Sequence, residues 1–125
     1  MDDLALIIED DEDLSIIFAE AVRNAGYQVE MIRDGQSAQQ RLAEAIPDLI
    51  ILDMHLPHVS GPDLFDQIQE DKRLRDCIIV IATADARMGD AYTTKADFVL
   101  IKPISYVQLR DLTARLKNET EDDFE

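Results

Sequence analysis

Five side chains in this 125-residue sequence are placed where they could do chemistry together. Glu9 and Asp10 open a block of acids, Glu9 to Asp13, that follows directly on the apolar run Leu4 to Ile8. Asp53 follows a second apolar run, "LIIL" (49–52), Thr83 follows a third, "IIVIA" (78–82), and Lys102 follows a fourth, "FVLI" (98–101). Carboxylates gathered at one point repel each other unless a cation or a proton sits among them. If the ends of these runs meet, three carboxylates, a hydroxyl and an ammonium share one small volume. The donors are hard oxygens, which suit Mg²⁺ or Mn²⁺ better than zinc. Asp53 is then a candidate nucleophile, because a carboxylate can form an acyl phosphate. Lys102 and the Thr83 hydroxyl would hold the remaining phosphoryl oxygens, and the metal would offset charge during in-line transfer.

The elements that must bring these residues together can be read from periodicity. After the run at Leu4–Ile8, the residues Leu14, Ile17, Phe18, Ala21, Val22 and Ala25 recur at helical spacing, and Gly26 stands where a helix would stop. "YQVEMI" (27–32) alternates like a strand with one wetter face, and "DG" at 34–35 reads as a turn. A second helix is expected over Gln36 to Ala45, with Ala38, Leu42 and Ala45 inward, ended by Pro47. "LIIL" and "IIVIA" are continuous apolar runs, the mark of strands covered on both faces. Between them "GPDLFDQIQ" starts a helix with Pro62 in its first turn and Leu64, Phe65 and Ile68 inward. The segment 85–97, "DARMGDAYTTKAD", has little apolar stripe and predicts a short or poorly formed helix. After "FVLI", Ser105 caps a last helix carrying Leu109, Leu112 and Leu116.

This βαβαβαβαβα order predicts a parallel sheet with helices on both faces. Five strands in a chain of this length suit a flavodoxin-like three-layer sandwich with strand order 2-1-3-4-5. In such a sheet, ligands bind at the carboxyl ends of the strands, which is where Glu9, Asp10, Asp53, Thr83 and Lys102 lie.

Bulk composition narrows the function classes. Twelve Lys and Arg against 27 Asp and Glu give a net charge of −15, which opposes direct binding to nucleic acid or anionic membranes. No apolar run approaches the ~20 residues of a membrane span, and the N-terminus lacks the basic region of a signal peptide. A single cysteine, Cys77, fits a reducing cytoplasm and reads as a small buried residue at the start of the fourth strand. The last residues, "NETEDDFE", read as a solvated acidic tail. The domain is expected over 1–118 and the tail over 119–125.

As a set, "LIIEDDEDL", "LIILDMHLPHVSG", "IIVIATAD" and "VLIKPIS" resemble the four signature segments of the receiver domain of two-component response regulators. The resemblance covers residues 3 to about 117 and implies specific roles. Asp53 would be the phosphoacceptor, and Asp10 and Asp53 would bind Mg²⁺ with the backbone carbonyl of His55, Glu9 completing the acidic pair. Thr83 would be the switch hydroxyl, and Lys102, followed by Pro103, the phosphoryl-binding lysine. Pro57 and Gly61 match the loop that follows the phosphoacceptor. The implied partners are a histidine kinase or histidine phosphotransfer protein as donor and a downstream protein as target. The implied activity is self-catalysed phosphorylation and dephosphorylation rather than that of an ordinary enzyme.

Two departures concern output. The switch aromatic of the family lies three residues before the lysine, where this chain has Val99; Phe98 and Tyr92 come earlier. The interval from Thr83 to Lys102 is short by about one helical turn.

Other readings fit less well. A phosphatase of the haloacid dehalogenase type needs a second Asp two residues after the nucleophile, and His55 stands there. An FMN carrier needs a Ser/Thr/Gly-rich loop after the first strand, where this chain has acids. A degenerate receiver would lack part of the Asp, Thr and Lys set. His55 and His58 without a nearby cysteine make a poor zinc site, and His55 is expected at the mouth of the pocket. Met88 and Tyr92 read as packing residues.

Overall fold

The computed structural model describes residues 3–122, and their side chains to residue 119. Five parallel strands, β1 (Leu4–Ile8), β2 (Gln28–Ile32), β3 (Leu49–Asp53), β4 (Ile78–Thr83) and β5 (Phe98–Ile101), form one sheet in the order 2-1-3-4-5. Five helices connect and follow them: α1 (Glu12–Asn24), α2 (Gly35–Glu44), α3 (Gly61–Glu70), α4 (Ala86–Tyr92) and α5 (Tyr106–Asp122). The flavodoxin-like architecture is the one expected.

Each helix starts on a residue that accepts from its own first turn. Asp11 accepts from the Leu14 amide and Asp34 from the Ser37 amide. Ser60 accepts from the Asp63 amide, Asp85 from those of Arg87 and Met88, and Ser105 from the Gln108 amide. These are the amides a helix leaves without a partner of its own. The sheet divides the apolar side chains into two layers. Ala5, Ile7, Leu49, Ile51 and Val80 face α1 and α5, packing on Phe18, Val22, Leu109 and Leu112. Leu6, Ile8, Ile50, Leu52, Ile79 and Ile81 face the other side, against Leu42 of α2 and Leu64, Phe65 and Ile68 of α3.

Several details differ from the sequence reading. Strand β2 begins at Gln28, with Tyr27 buried just before it. Asp34 is a cap and Gly35 the first helical residue, so the expected turn is the start of α2; Ala45 is its cap residue rather than part of the helix. Ile17 is 42% exposed, and the inner face of α1 is completed by Ser15 and Ala19 instead. A short 3-10 turn, Lys72–Leu74, buries Leu74 between α3 and β4. Helix α5 continues to Asp122, beyond the expected end at 118; the remainder of the expected tail, 123–125, lies outside the described residues. Helix α4 is short, as expected, and spans seven residues.

Candidate functional site

Register places the functional residues at one level. Ile8 pairs with Leu52, so Glu9 comes level with Asp53 at the ends of β1 and β3. Asp53 pairs with Ala82, which puts Thr83 one residue further out. Thr83 pairs with Ile101, and Lys102 follows, its amide donating to the Thr83 carbonyl at 2.8 Å. The continuous apolar runs fix this arrangement, because a strand buried on both faces cannot slip without exposing its side chains.

Asp53 is 2% exposed and Glu9 1%, whereas Asp10 stands at the surface. One carboxylate oxygen from each of Glu9, Asp10 and Asp53 lies within 4.8 Å of the others. The Lys102 ammonium bridges the two buried acids, 2.7 Å from Glu9 Oε1 and 3.6 Å from Asp53 Oδ1. Burial, together with the hydrogen bond to Asp53, pushes the Glu9 carboxyl up to about 7, although Lys102 pulls the other way. Burial alone would lower the Lys102 ammonium; its bond to Glu9 and the charges of Asp53 and Glu9 outweigh that and hold it above its usual value. One buried cation therefore does not fully offset two buried carboxylates with a third at the rim. That imbalance, with hard oxygen donors only, fits a divalent cation.

The loop after Asp53 is folded tightly into place. The His55 amide donates to Asp53 Oδ1 at 3.1 Å, while the His55 ring is exposed at the pocket mouth, as expected. His58 has φ 71°, and the Val59 amide donates back to the Pro57 carbonyl at 3.0 Å, a tight reversal around His58. The same carbonyl accepts from the Gly35 amide at 3.1 Å.

Two glycines make this packing possible. A Cβ on Gly61 would lie 2.4 Å from Met54 Cα, and one on Gly35 would lie 2.0 Å from the Val59 carbonyl oxygen. Gly61 was read from the sequence as part of the loop. The positioning role of Gly35 was missed, because "DG" carries a turn signal and says nothing of a distant backbone pressed against it. The Lys102–Pro103 bond is cis.

Thr83 is fully buried, and its Oγ1 accepts from the Asp85 amide at 3.1 Å. Val99 is half-buried and packs with Met88 and Tyr92 against the layer beneath α2 and α3. Tyr92 meets the Phe65 ring edge-on at 5.1 Å, the packing role expected of it. Cys77 is buried, its thiol donating to the Pro47 carbonyl, and burial pushes it up to about 11.

The profile of the response regulator receiver domain family matches residues 5–114. The chain is 32% identical over 103 residues to the polar-differentiation response regulator DivK of Brucella ovis, a match covering 80% of this chain and 84% of DivK. It is 33% identical over 114 residues to the phosphate regulon transcriptional regulatory protein PhoB of Rhizobium meliloti, covering 89% of this chain and 49% of PhoB. This chain therefore spans about half the length of that relative. A solved structure of similar fold is the receiver domain of the sensor histidine kinase PA1611 of Pseudomonas aeruginosa, which has a magnesium ion coordinated in its active site cleft. It aligns with TM-score 0.80 at 24% identity, covering 92% of this chain and 97% of that one.

Proposed function

The chain belongs to the response regulator receiver domain family, and on that premise we propose that it takes its phosphoryl group onto Asp53. The observation that carries the assignment is a carboxylate 2% exposed at the end of β3 that shares its pocket with Glu9, Asp10 and Lys102. As a phosphoacceptor signalling domain it is not an ordinary enzyme; its own residues promote its own modification.

An Asp53 oxygen attacks phosphorus in line, the new O–P bond forms as the donor N–P bond breaks, and the donor imidazole leaves with the electron pair. Lys102, already beside Asp53, turns its ammonium to a phosphoryl oxygen. Thr83 donates its hydroxyl proton to another. Asp10, Asp53 and the His55 carbonyl would hold Mg²⁺ or Mn²⁺, with Glu9 behind them. The bound cation supplies positive charge against the transferring phosphoryl oxygens. Hydrolysis of the acyl phosphate by water, admitted past the exposed His55, resets Asp53.

The donor is a phosphohistidine on a histidine kinase or a histidine phosphotransfer protein, and a downstream protein reads the modified surface. Both encounters take place in the cytoplasm; among the described residues, no helix is long and apolar enough to cross a membrane. The functional unit is residues 1–118, with 119–125 as an acidic extension.

Intact mass after incubation with Mg²⁺ and acetyl phosphate tests the reading. The expected result is one added phosphoryl group, lost with a chelator present and absent from Asp53→Asn. Labelling of Asp53→Asn to the wild-type extent would overturn the assignment.

A further inference from the structure

The short connection from β2 to α2 lies beside the pocket and bonds to both loops that follow its carboxylates. The Ile32 carbonyl accepts from the Glu9 amide at 3.0 Å, and the Arg33 guanidinium donates to the Asp10 carbonyl at 3.2 Å. The Gly35 amide donates to the Pro57 carbonyl at 3.1 Å, in the loop after Asp53. The segment from Ile32 to Gly35 therefore ties the acidic loop and the loop after Asp53 to one strand end.

The three carboxylates depend on this brace to different degrees. Glu9 and Asp53 are buried, so packing fixes them. Asp10 is exposed, and its carboxylate goes where its backbone goes. That backbone lies between two anchored neighbours. Glu9 is held on Ile32; the Asp11 amide donates to Glu9 Oε2 at 3.3 Å, and the Asp11 carboxylate caps α1. Arg33 bonds to Asp10 itself. Its other amino group lies 3.8 Å from Oε2 of Glu12, the first residue of α1, so one guanidinium spans the loop and the helix that follows it. A planar fork with donors in several directions suits that task.

Charge alone would give Arg33 the opposite effect. A cation at the rim of an acidic pocket opposes a bound divalent ion, and its removal should tighten binding. The carbonyl bond works the other way, because an outer partner that holds a ligand in place raises metal affinity. With the Arg33 side chain 54% exposed, solvent screens the charge, so the contact at the Asp10 backbone is the larger effect.

We infer that Arg33 is a positioning residue for the metal site: it fixes the Asp10 backbone so that this exposed carboxylate meets those of Glu9 and Asp53. The inference rests on Asp10 and Asp53 as metal ligands, but the bracing of the loop is a property of the metal-free chain.

Mg²⁺ titration followed by ¹⁵N NMR shifts, on wild type, Arg33→Ala and Arg33→Lys, tests it. Arg33→Ala should bind about tenfold more weakly, the low end of the loss when an outer partner of a metal ligand is removed. Arg33→Lys keeps a donor for the carbonyl and should stay within about threefold of wild type. Unchanged or tighter binding by Arg33→Ala would overturn the inference and leave Arg33 a screened surface charge. Binding by Arg33→Lys as weak as that of Arg33→Ala would overturn the carbonyl bond as the cause. Without metal, exchange of the Asp11 amide should speed up in Arg33→Ala and not in Arg33→Lys, with both thermal midpoints close to wild type. Unchanged Asp11 exchange in Arg33→Ala would overturn the brace. If the wild type binds no Mg²⁺, the metal role of Arg33 is overturned together with the functional reading, and faster Asp11 exchange in Arg33→Ala would still support the brace.

Discussion

Strand β3 and strand β5 each place one charged group in the pocket, but from different surroundings. Every residue of β3 is buried, and the loop that follows Asp53 is pinned by backbone contacts to Gly35 and Gly61. Strand β5 is an edge strand with Phe98 37% and Ile101 43% exposed at its ends, covered on one face by a seven-residue helix. Asp53 is therefore held from all sides, whereas β5 leans on a helix of only seven residues at the sheet edge. If Asp53 is the phosphoacceptor, a rigid site keeps the reaction geometry, while a short edge helix can change state at small cost.

The comparison breaks most visibly at Asp53 itself. Asp53→Asn should abolish phosphoryl uptake by intact mass while leaving the circular dichroism spectrum unchanged. It should also raise the thermal midpoint, since one of three mutually repelling carboxylates is removed. A lower midpoint would mean that Asp53 and Lys102 hold the pocket together more than the three acids push it apart.

Backbone clamping should give the next largest effect. Gly61→Ala puts a methyl 2.4 Å from Met54 Cα and 2.7 Å from the Asp53 carbonyl oxygen, with no flexible side chain to move aside. A loss of about 3 kcal/mol is expected, seen as a lower urea midpoint at unchanged slope. Gly35→Ala should behave alike. A midpoint within error of wild type would show that the β3 loop is softer than its packing implies.

Legibility in the sequence follows the same division. Strands β1, β3 and β4 announce themselves as uninterrupted apolar runs because they are covered on both faces. Once their order was read, the ends that carry Glu9, Asp53 and Thr83 were determined. The clamp by Gly35 was not legible, since a glycine's need for space is set by a chain segment distant in sequence. Ile17 was read as inward because it fits the helical stripe of α1, but that helix turns Ser15 and Ala19 to the core beside Phe18. The weak stripe of 85–97 did signal a short helix. The contact of its backbone with Thr83 depends on how α4 lies across β4 and β5, which periodicity does not encode.

Occupying the pocket should stiffen the rigid side further. A divalent cation that binds only the folded state adds about 1.4 kcal/mol at ten times its Kd. Mg²⁺ titration followed by thermal melting should show a rise that chelation reverses and that Asp10→Ala largely removes. No response at millimolar Mg²⁺ would mean that Lys102 alone neutralises Glu9 and Asp53.

A probe at the opposite end of the sheet gives an effect of similar size. Burial pushes the Cys77 thiol up to about 11 in the folded chain, against 9.0 for an ordinary cysteine. The unfolded chain therefore ionises first as pH rises. The stability owed to this group is complete below pH 9 and is lost on approaching 11. At pH 10 the loss is about 1.4 kcal/mol. Urea midpoints of wild type and Cys77→Ala, compared at pH 8 and pH 10, isolate it, with the wild type falling further. Parallel changes would show that Cys77 ionises freely in the fold.

The smallest effect is expected from the same substitution as in β3's loop, made on the β5 side. Gly89→Ala also introduces a close contact, 2.6 Å, but with Ile101 Cδ1, the far end of a side chain already 43% exposed. That methyl can swing toward solvent, and Val99 Cγ1 at 3.3 Å needs to yield only a few tenths of an ångström. Alanine gains about 1 kcal/mol over glycine inside a helix, which offsets much of the strain. The net change should stay within about 1 kcal/mol of wild type, against about 3 for Gly61→Ala. Urea midpoints of the two variants, measured side by side, decide whether the two regions differ as described. If Gly89→Ala costs as much as Gly61→Ala, then α4 is clamped as firmly as the loop after Asp53, and the two regions do not differ in rigidity.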